Sequence, residues 1–205
     1  MSVTDPANRR TSQTKRGHER KERIISAATD LFDRHGYHAT GIDDIGEAAG
    51  ITGPGIYRHF ARKDDILMEV FDRIWLILRD SVDAARDLRP GEALDLMVRT
   101  HVQLVIDHRV ATTLFLKELQ SLPEEYRAKV RRNDAVYHDA WAQAIMGCNP
   151  QCTLGEARIV ARSCFWAINA YDADATSDRL PPARAKEVLT SIAHGVLEAV
   201  STLCR

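Results

Sequence analysis

Residues 32–67 read FDRHGYHATGIDDIGEAAGITGPGIYRHFARKDDIL, and this stretch places two short helical segments between two longer ones. The segment 42–49 predicts a short helix, because isoleucine and alanine recur at helical spacing and two aspartates occupy its first turn. Gly50 ends that helix, and the next helix opens directly after it. Two short helices joined by a tight glycine turn are typical of a helix-turn-helix unit.

The start of the second short helix combines glycine, proline, aromatic and cationic side chains. We expect Thr52 to be its N-cap, with the hydroxyl accepting the amide hydrogen of Gly55, because Pro54 has no amide hydrogen. Glycine inside a helix costs about 1 kcal/mol relative to alanine. Its use here favours a helix start that a backbone or a phosphate group can approach closely. Such a start suits contact with a large anionic partner.

The rest of the chain has helical periodicity, and no segment alternates apolar and polar side chains as a half-buried strand does. We therefore predict an all-α protein. Its first helix carries an apolar face over 19–35, and residues before it are polar. The further helices are predicted at 63–88, 92–107, 109–121, 123–146, 153–171 and 182–203.

Composition and charge narrow the class of protein. The 205 residues, 44% of them hydrophobic, suffice for one large domain or two small ones. No apolar run approaches the roughly 18 residues of a membrane span, and the N-terminus lacks the apolar core of a secretory signal, so we expect a cytoplasmic protein without membrane contact. The net charge of -1 does not by itself indicate a nucleic-acid partner. Two basic patches do: residues 1–23 hold seven cations against three acids, and residues 53–63 hold three cations and no acid.

A recognition helix must enter a groove about 12 Å wide, and its side chains must reach base edges or phosphates. Tyr57, Arg58 and His59 follow the glycine-rich start as hydrogen-bond donors or stacking groups. Lys63 can add a charged contact to the flanking DNA backbone. The spacing alone is moderately specific, because amphipathic helix pairs occur in any all-α protein.

The individual residues are more specific than the spacing. The stretch 32–67 resembles the N-terminal domain of the TetR family of bacterial transcriptional regulators, with the motifs G-Y-x-A-T, A-G-I-T and Y-x-H-F-x-x-K. The resemblance covers about 18–78. It implies a flexible basic arm over 1–17, a three-helix DNA-binding domain over 18–78, and a helical-bundle domain for effector binding and dimerisation over 79–205.

The resemblance also implies roles for matching residues. Thr40 and Thr52 correspond to phosphate-binding hydroxyls, Tyr57 and His59 to recognition-helix contacts, and Lys63 to a phosphate contact at the fourth helix. The candidate DNA-binding residues are Thr40, Gly41, Thr52, Gly53, Pro54, Gly55, Tyr57, Arg58, His59 and Lys63.

Two positions depart from the family pattern. Gly41 stands where threonine or serine often caps the second helix, and Asp43 occupies a position that is frequently basic. Two aromatic residues have a packing interpretation: Phe60 is expected in the core, and Tyr57 could pack its ring or present it to DNA.

In the resembled family the C-terminal domain encloses a small-molecule effector and dimerises through its last two helices. The segments 153–171 and 182–203 carry more apolar and small residues than one packed face needs, which agrees with a homodimer that reads a palindromic operator. The run 99–141 also resembles regulators of lipid and acyl-CoA metabolism, which implies a fatty acyl-CoA effector. Core packing is the alternative for each candidate pocket residue. These candidates are His101, Leu104, Val105, Phe115, Glu118, Tyr137, Trp141, Phe165, Trp166 and Asn169.

Other chemistry finds little support in the sequence. Four unevenly placed cysteines predict free thiols, and Cys148, Cys152 and His138 lack the second ligand pair of a metal site. His101 and His108 lie two helical turns apart, and we interpret them as surface histidines. There is no G-x-S-x-G, Walker or G-x-G-x-x-G motif, so we predict no enzyme activity, cofactor or metal.

The sequence thus predicts a ligand-responsive homodimeric transcriptional regulator, a repressor that leaves its palindromic operator when a small molecule binds. Two alternatives stay open at this point. One is a ligand-binding helical protein or enzyme with a vestigial DNA-binding head. The other is a DNA-binding architectural factor that takes no ligand.

Overall fold

A computed structural model describes residues 6–173 and 180–203. Across these residues the fold is all-α, as predicted, with one short 3₁₀ turn at Leu119–Ser121 and no strand. No helix in these ranges is long and apolar enough to cross a membrane. The helices are α1 (Pro6–His35), α2 (Ile42–Ala49), α3 (Gly53–Ile56), α4 (Lys63–Ala85), α5 (Pro90–Asp107), α6 (Arg109–Glu118), α7 (Glu124–Cys148), α8 (Leu154–Ala173) and α9 (Pro182–Leu203).

The chain divides into two compact units, Met1–Val70 and Phe71–Arg205. The division falls within α4, earlier than the boundary after residue 78 that the sequence suggests. The first unit contains α1, α2, α3 and the start of α4, and the second contains the remaining helices.

The first unit has a core of its own, in which the apolar face of α1 packs on α2. Phe60, Ile56 and Tyr37 join this core from α3 and the segments that connect the helices. Burial of apolar area at about 25 cal/mol per Å² is the main force that holds such short helices in place, since α2 and α3 are too short to be stable alone. The other members of this core are Ile24, Ile25, Ala28, Phe32, Ile45, Ala49, Ile66, Leu67 and Val70.

Helix α1 begins at Pro6, well before the start at residue 19 that its apolar face predicts. Residues 6–17, which were expected to belong to a flexible basic arm, are helical, and residues 1–5 lie outside the described residues. The added segment mixes arginine, lysine, glutamine and alanine, which have high helix propensity, with threonine, serine, asparagine and glycine, which have lower propensity. A helix already nucleated by packing can extend through such residues without an apolar face.

The second unit is a helical bundle in which α5 packs on α7 and α9, and α8 packs on α7 and α9. Its helix ends are set by local chemistry. Pro90 opens α5 at a position where the missing amide costs little. A capping box opens α8: the Thr153 amide donates to the Glu156 carboxylate at 2.8 Å, and the Glu156 amide donates back to the Thr153 hydroxyl at 3.3 Å. These caps fix the starts of two helices that bear candidate pocket residues.

Candidate functional site

The turn between α2 and α3 has the geometry of a helix-turn-helix unit. Gly50 adopts a left-handed conformation, with φ 63° and ψ 38°, and its amide donates to Glu47 O at 3.1 Å. The Ile51 amide donates to Gly46 O at 2.9 Å. A residue with a side chain would be strained at Gly50, so glycine closes α2 and redirects the chain into α3.

Helix α3 is a single turn, and its start differs from the expected cap. Thr52 is the N-cap residue, but the Gly55 amide donates to the Thr52 backbone carbonyl at 2.7 Å, and the hydroxyl makes no capping bond. The expected bond from Gly55 to the Thr52 hydroxyl is therefore wrong, because the tighter carbonyl bond takes the amide hydrogen. A Cβ at Gly55 would lie 2.7 Å from the Ile51 Cγ2 methyl. Glycine at position 55 is thus required because the Ile51 side chain packs close to its Cα. The Thr52 side chain stays exposed.

The residues that follow α3 stand on the surface between two buried anchors. Ile56 and Phe60 are both in the core, so the prediction that Phe60 is a core residue is confirmed. Between them the chain makes a turn and does not continue as helix. Tyr57 is 57% exposed and Arg58 is exposed, while His59 is half-buried. The Tyr57 ring is therefore available for contact, and its packing interpretation is wrong.

Lys63 and Thr40 have internal partners. The Lys63 ammonium donates to Tyr37 O at 2.6 Å and to Thr40 O at 2.9 Å, and it lies 4.3 Å from the centre of the Tyr37 ring. The Tyr37 hydroxyl in turn donates to the Asp64 carboxylate. Thr40 is buried, and its hydroxyl donates to Gly36 O at 2.9 Å. These bonds satisfy carbonyls of the loop between α1 and α2, so both side chains hold the loop in place.

The start of α2 is capped without a hydroxyl at residue 41. The Gly41 amide donates to the Asp44 carboxylate at 2.8 Å, which is one half of a capping box, and glycine lacks the hydroxyl that supplies the other half in the family pattern. Asp43 is exposed beside the start of α3, with Oδ1 3.3 Å from the place where a Cβ at Gly53 would stand. Pro54 is also exposed at that start.

A basic cleft of about 290 Å³ joins α1 to the start of α3. Arg20 and Arg23 of α1 line it together with Gly55, Arg58 and His59, and no acidic residue does. The three arginines are exposed, and none has a salt bridge within the part of the chain that the structure describes. Sequence reasoning did not single out Arg20 and Arg23 as part of this basic surface, although the net positive charge of residues 1–23 was a signal for them.

A polar cluster lies in the core of the second unit. His101 on α5 shares a hydrogen bond with the Tyr137 hydroxyl through Nδ1 at 3.0 Å and with Asn169 Nδ2 through Nε2 at 3.0 Å. Phe165 packs edge-on against His101, with ring centres 5.0 Å apart. Burial, together with the neighbouring charge of His138, lowers the pKa of His101 to about 3. The cluster joins α5, α7 and α8 and keeps a neutral imidazole at its centre.

Trp141 packs on Tyr137, with ring centres 6.0 Å apart. The structure thus brings together five of the predicted pocket residues, which are His101, Tyr137, Trp141, Phe165 and Asn169. Three others lie elsewhere. Phe115 packs against aromatic side chains of α4, Glu118 bonds to the Ser121 hydroxyl near the 3₁₀ turn, and Trp166 is 60% exposed. The remaining two are buried core residues of α5, Leu104 and Val105.

The histidines and cysteines singled out in the sequence lie in different environments. The interpretation of His101 as a surface residue is wrong, because it is buried, whereas His108 is exposed. Cys148 is an exposed free thiol, Cys164 is a buried free thiol, and Cys152 is buried. The fourth cysteine, at position 204, lies outside the described residues. Among those described, no three potential ligands cluster as a metal site would require.

The outer faces of α8 and α9 carry exposed apolar side chains. Ile159 and Trp166 lie seven residues apart on α8, and so share one face, and they are 59% and 60% exposed. Ile192 on α9 is 45% exposed. Such a face is typical of a helical dimer interface.

Comparisons with known proteins agree with this architecture. Residues 24–70 match the profile described as bacterial regulatory proteins, tetR family, and residues 87–171 match the tetracyclin repressor-like C-terminal domain. Together these two matches cover more than half of the chain.

Individual proteins extend the likeness. The chain is 29% identical over 148 residues to the HTH-type transcriptional regulator HbdR of Aromatoleum sp. (strain CIB), covering 71% of this chain and 61% of that protein. The chain thus spans less than two thirds of the length of the curated relatives that it matches.

Two solved structures share the fold. One is the TetR family regulator PfmR of Thermus thermophilus (TM-score 0.75, 23% identity, 85% of this chain and 97% of that chain). The other is AibR in complex with isovaleryl coenzyme A and operator DNA (TM-score 0.71, 20% identity, 84% of this chain and 97% of that chain). On the two profile matches and the shared fold, the chain belongs to the TetR family of bacterial regulatory proteins.

Proposed function

We propose that this protein is a homodimeric transcriptional regulator that binds operator DNA and responds to a small-molecule effector. The observation that carries the proposal is the surface of the first unit, where exposed Tyr57 and Arg58 follow α3 next to a cleft lined by cations and no acid. A surface of this kind suits duplex DNA, because phosphates supply the opposite charge and base edges accept hydrogen bonds.

The DNA contacts divide into two groups. Tyr57, Arg58 and His59 reach base edges or phosphates from the turn after α3, and the exposed Thr52 hydroxyl can donate to a phosphate. Lys63 has one N–H left after its two carbonyl bonds, so its main role is to hold the loop, with a phosphate contact as a second role. The backbone at Gly41, Gly53, Pro54 and Gly55 completes the surface that faces DNA.

Arg20 and Arg23 add phosphate contacts from α1. Both guanidinium groups are exposed and make no salt bridge inside the described ranges, so they remain available to phosphates. Each phosphate contact releases about one counterion and steepens the salt dependence of binding.

The exposed apolar face of α8 and α9 supports homodimerisation. Ile159, Trp166 and Ile192 would be covered by the same face of a second copy, as an isologous interface requires. Two DNA-binding heads related by a two-fold axis read a palindromic operator.

The effector of this protein is proposed to be an acyl-CoA or a related lipid. The likeness to AibR, whose solved complex holds isovaleryl coenzyme A and operator DNA, supports this chemistry, as does the mixture of aromatic and polar groups around His101. We propose that the bound effector changes the affinity for DNA by a coupling free energy of about 1 to 3 kcal/mol, a factor of about 5 to 150. The protein would act on chromosomal DNA in the cytoplasm, as a repressor released by its effector and not as an enzyme.

The proposal is tested by fluorescence anisotropy with a labelled DNA fragment from upstream of the protein's own gene. We expect binding that weakens steeply with salt, a palindromic footprint, and release by an acyl-CoA. An enzyme with a vestigial head would not bind the fragment, and an architectural factor would bind without responding to acyl-CoA. Absence of binding at low ionic strength would refute the proposal.

A further inference from the structure

The hydrogen bonds of the His101 cluster have a defined direction. One N–H of Asn169 Nδ2 donates to Phe165 O at 2.8 Å, which identifies Nδ2 as the amide nitrogen. The other N–H faces His101 Nε2 at 3.0 Å, so Nε2 accepts. The neutral imidazole of His101 then carries its proton on Nδ1 and donates to the Tyr137 oxygen at 3.0 Å.

This chain of bonds ends in a proton that has no acceptor. The Tyr137 oxygen already accepts from His101, so the Tyr137 hydroxyl must donate its own proton elsewhere, and no acceptor lies within reach among the described residues. Burial raises the pKa of Tyr137, and the Trp141 indole N–H, which is directed toward the Tyr137 oxygen, opposes this rise in part. The Trp141 N–H nevertheless makes no hydrogen bond of normal geometry within the described part of the chain.

Two buried donors therefore stand side by side. Tyr137 and Trp141 lie four residues apart on one face of α7, with ring centres 6.0 Å apart. An unpaired buried donor destabilises the fold, and a bound acceptor would remove that cost.

The charges of the side chains around Tyr137 and Trp141 determine whether a bound acceptor can be neutral or anionic. His101 is neutral. Burial lowers the pKa of His138, but the hydrogen bond and the negative charge of Asp134 outweigh burial, and the pKa of His138 is raised. When His138 is protonated, its charge is balanced by Asp134, 3.3 Å away. Arg162, which also acts on His138, is exposed and screened by solvent. His138 Nε2 is buried without a partner among the described residues, whereas Nδ1 faces Asp134, whose carboxylate offsets the charge that a proton on the ring adds. The site therefore holds no net positive charge to balance a buried carboxylate.

Phe165 lies over the cluster. Its ring is 5.0 Å from that of His101 and 5.1 Å from that of His138, measured between centres. Phe165 is half-buried and Trp166 next to it is exposed, so the cluster reaches toward the surface of the unit on the side of His101 and His138. The Phe165 side chain makes no hydrogen bond that a rotation of its ring would break.

We propose that this cluster is the recognition point for a neutral carbonyl oxygen on an apolar effector, with Tyr137 O–H and Trp141 N–H as its two donors and Phe165 as the covering ring. The inference rests on the proposed function, because it assigns the chemistry of the effector of that same regulator. A thioester and a ketone both present this oxygen, whereas a free carboxylate adds a charge that the site does not balance.

The test measures the binding of 2-octanone, octanoyl-CoA and octanoate to the full-length protein by titration calorimetry. We expect the ketone and the thioester to bind, and octanoate to bind at least tenfold more weakly. Tyr137→Phe, which keeps the ring and removes the donor, should weaken ketone and thioester binding about tenfold. Tyr171→Phe makes the same chemical change at a half-buried site on α8 and should leave the affinity unchanged.

A second variant covers the possibility that Tyr137→Phe unfolds the protein, which circular dichroism would reveal. Phe165→Leu shortens the covering ring and should tighten ketone binding severalfold. The inference is overturned if neither carbonyl compound binds, if octanoate binds as tightly as 2-octanone, or if neither Tyr137→Phe nor Phe165→Leu alters ketone affinity.

Binding to DNA is measured separately, so the two proposals fail in different ways. If the carbonyl compounds bind through Tyr137 but the protein ignores promoter DNA, the carbonyl site stands and the proposed regulator fails. If an acyl-CoA releases DNA equally from the wild type and Tyr137→Phe, the regulator stands and the carbonyl site fails.

Discussion

Replacing Lys63 with methionine would separate a structural role of this lysine from a role in DNA binding. Methionine keeps the apolar stem against the Tyr37 ring and removes the ammonium group that donates to Tyr37 O and Thr40 O. A hydrogen bond from a charged donor contributes about 1.5 to 3 kcal/mol, and water can partly replace it at this half-buried site. We therefore expect the free energy of unfolding to fall by about 2 kcal/mol.

The assay is urea unfolding followed by circular dichroism, with anisotropy of labelled operator DNA measured on the same samples. Arg62→Met is the matched control, because the Arg62 side chain is 65% exposed and lies 3.8 Å from its ion-pair partner, Asp65. The control should change stability by less than about 0.5 kcal/mol. If Lys63→Met leaves stability unchanged while DNA affinity falls and the salt slope decreases by about one, the reasoning is wrong and Lys63 is a phosphate contact alone.

Further measurements address the other assignments. Changing both Arg20 and Arg23 to glutamine should reduce the slope of log affinity against log salt by up to about two, measured between about 50 and 200 mM salt, and an unchanged slope would exclude these contacts. Tyr57→Ala should weaken operator binding by anisotropy while sedimentation still shows a dimer, and unchanged affinity would rule out a direct contact. Trp166→Lys should yield monomers in sedimentation equilibrium with an unchanged helical spectrum, and a persistent dimer would place the interface elsewhere. His101 has a pKa of about 3 in the fold against 6.5 in the unfolded chain, so the unfolded state binds the additional proton between these values. The contribution of neutral His101 to stability is complete above pH 6.5 and decreases as pH falls toward 3, by up to about 1.4 kcal/mol per pH unit. The variant His101→Gln should remove this part of the pH dependence, as measured by urea unfolding at pH 7 and pH 5.

Local sequence chemistry predicted the elements of the first unit well. The apolar spacing of residues 42–49 and the glycine at 50 predicted α2 with its observed ends, since helix period and left-handed caps depend on neighbours in sequence. Phe60 was also predicted in the core, where the structure places it. The start of α1 was missed, because a polar helix has no apolar face to mark its beginning.

The pocket residues were predicted only in part. Tyr137 and Asn169 were candidates from residue type and helical spacing, but spacing does not say which helix faces meet, and it left His101 interpreted as a surface residue. Phe115 and Trp166 have equally suitable residue types, yet one packs against α4 and the other is exposed. Contacts between helices depend on packing over long sequence separations, which a pattern of spacing does not encode.

What the sequence determined by itself is the all-α class, the helix-turn-helix unit and its family, because periodicity, turn chemistry and motif residues are local properties. Only the tertiary structure decided the partners of individual side chains. It turned Lys63 inward to the carbonyls of residues 37 and 40, and it brought Arg20 and Arg23 beside Arg58. The physical reason is that a long polar side chain bonds to whichever unsatisfied polar group or water lies within its reach. The groups within its reach are set only after distant segments of the chain have packed together.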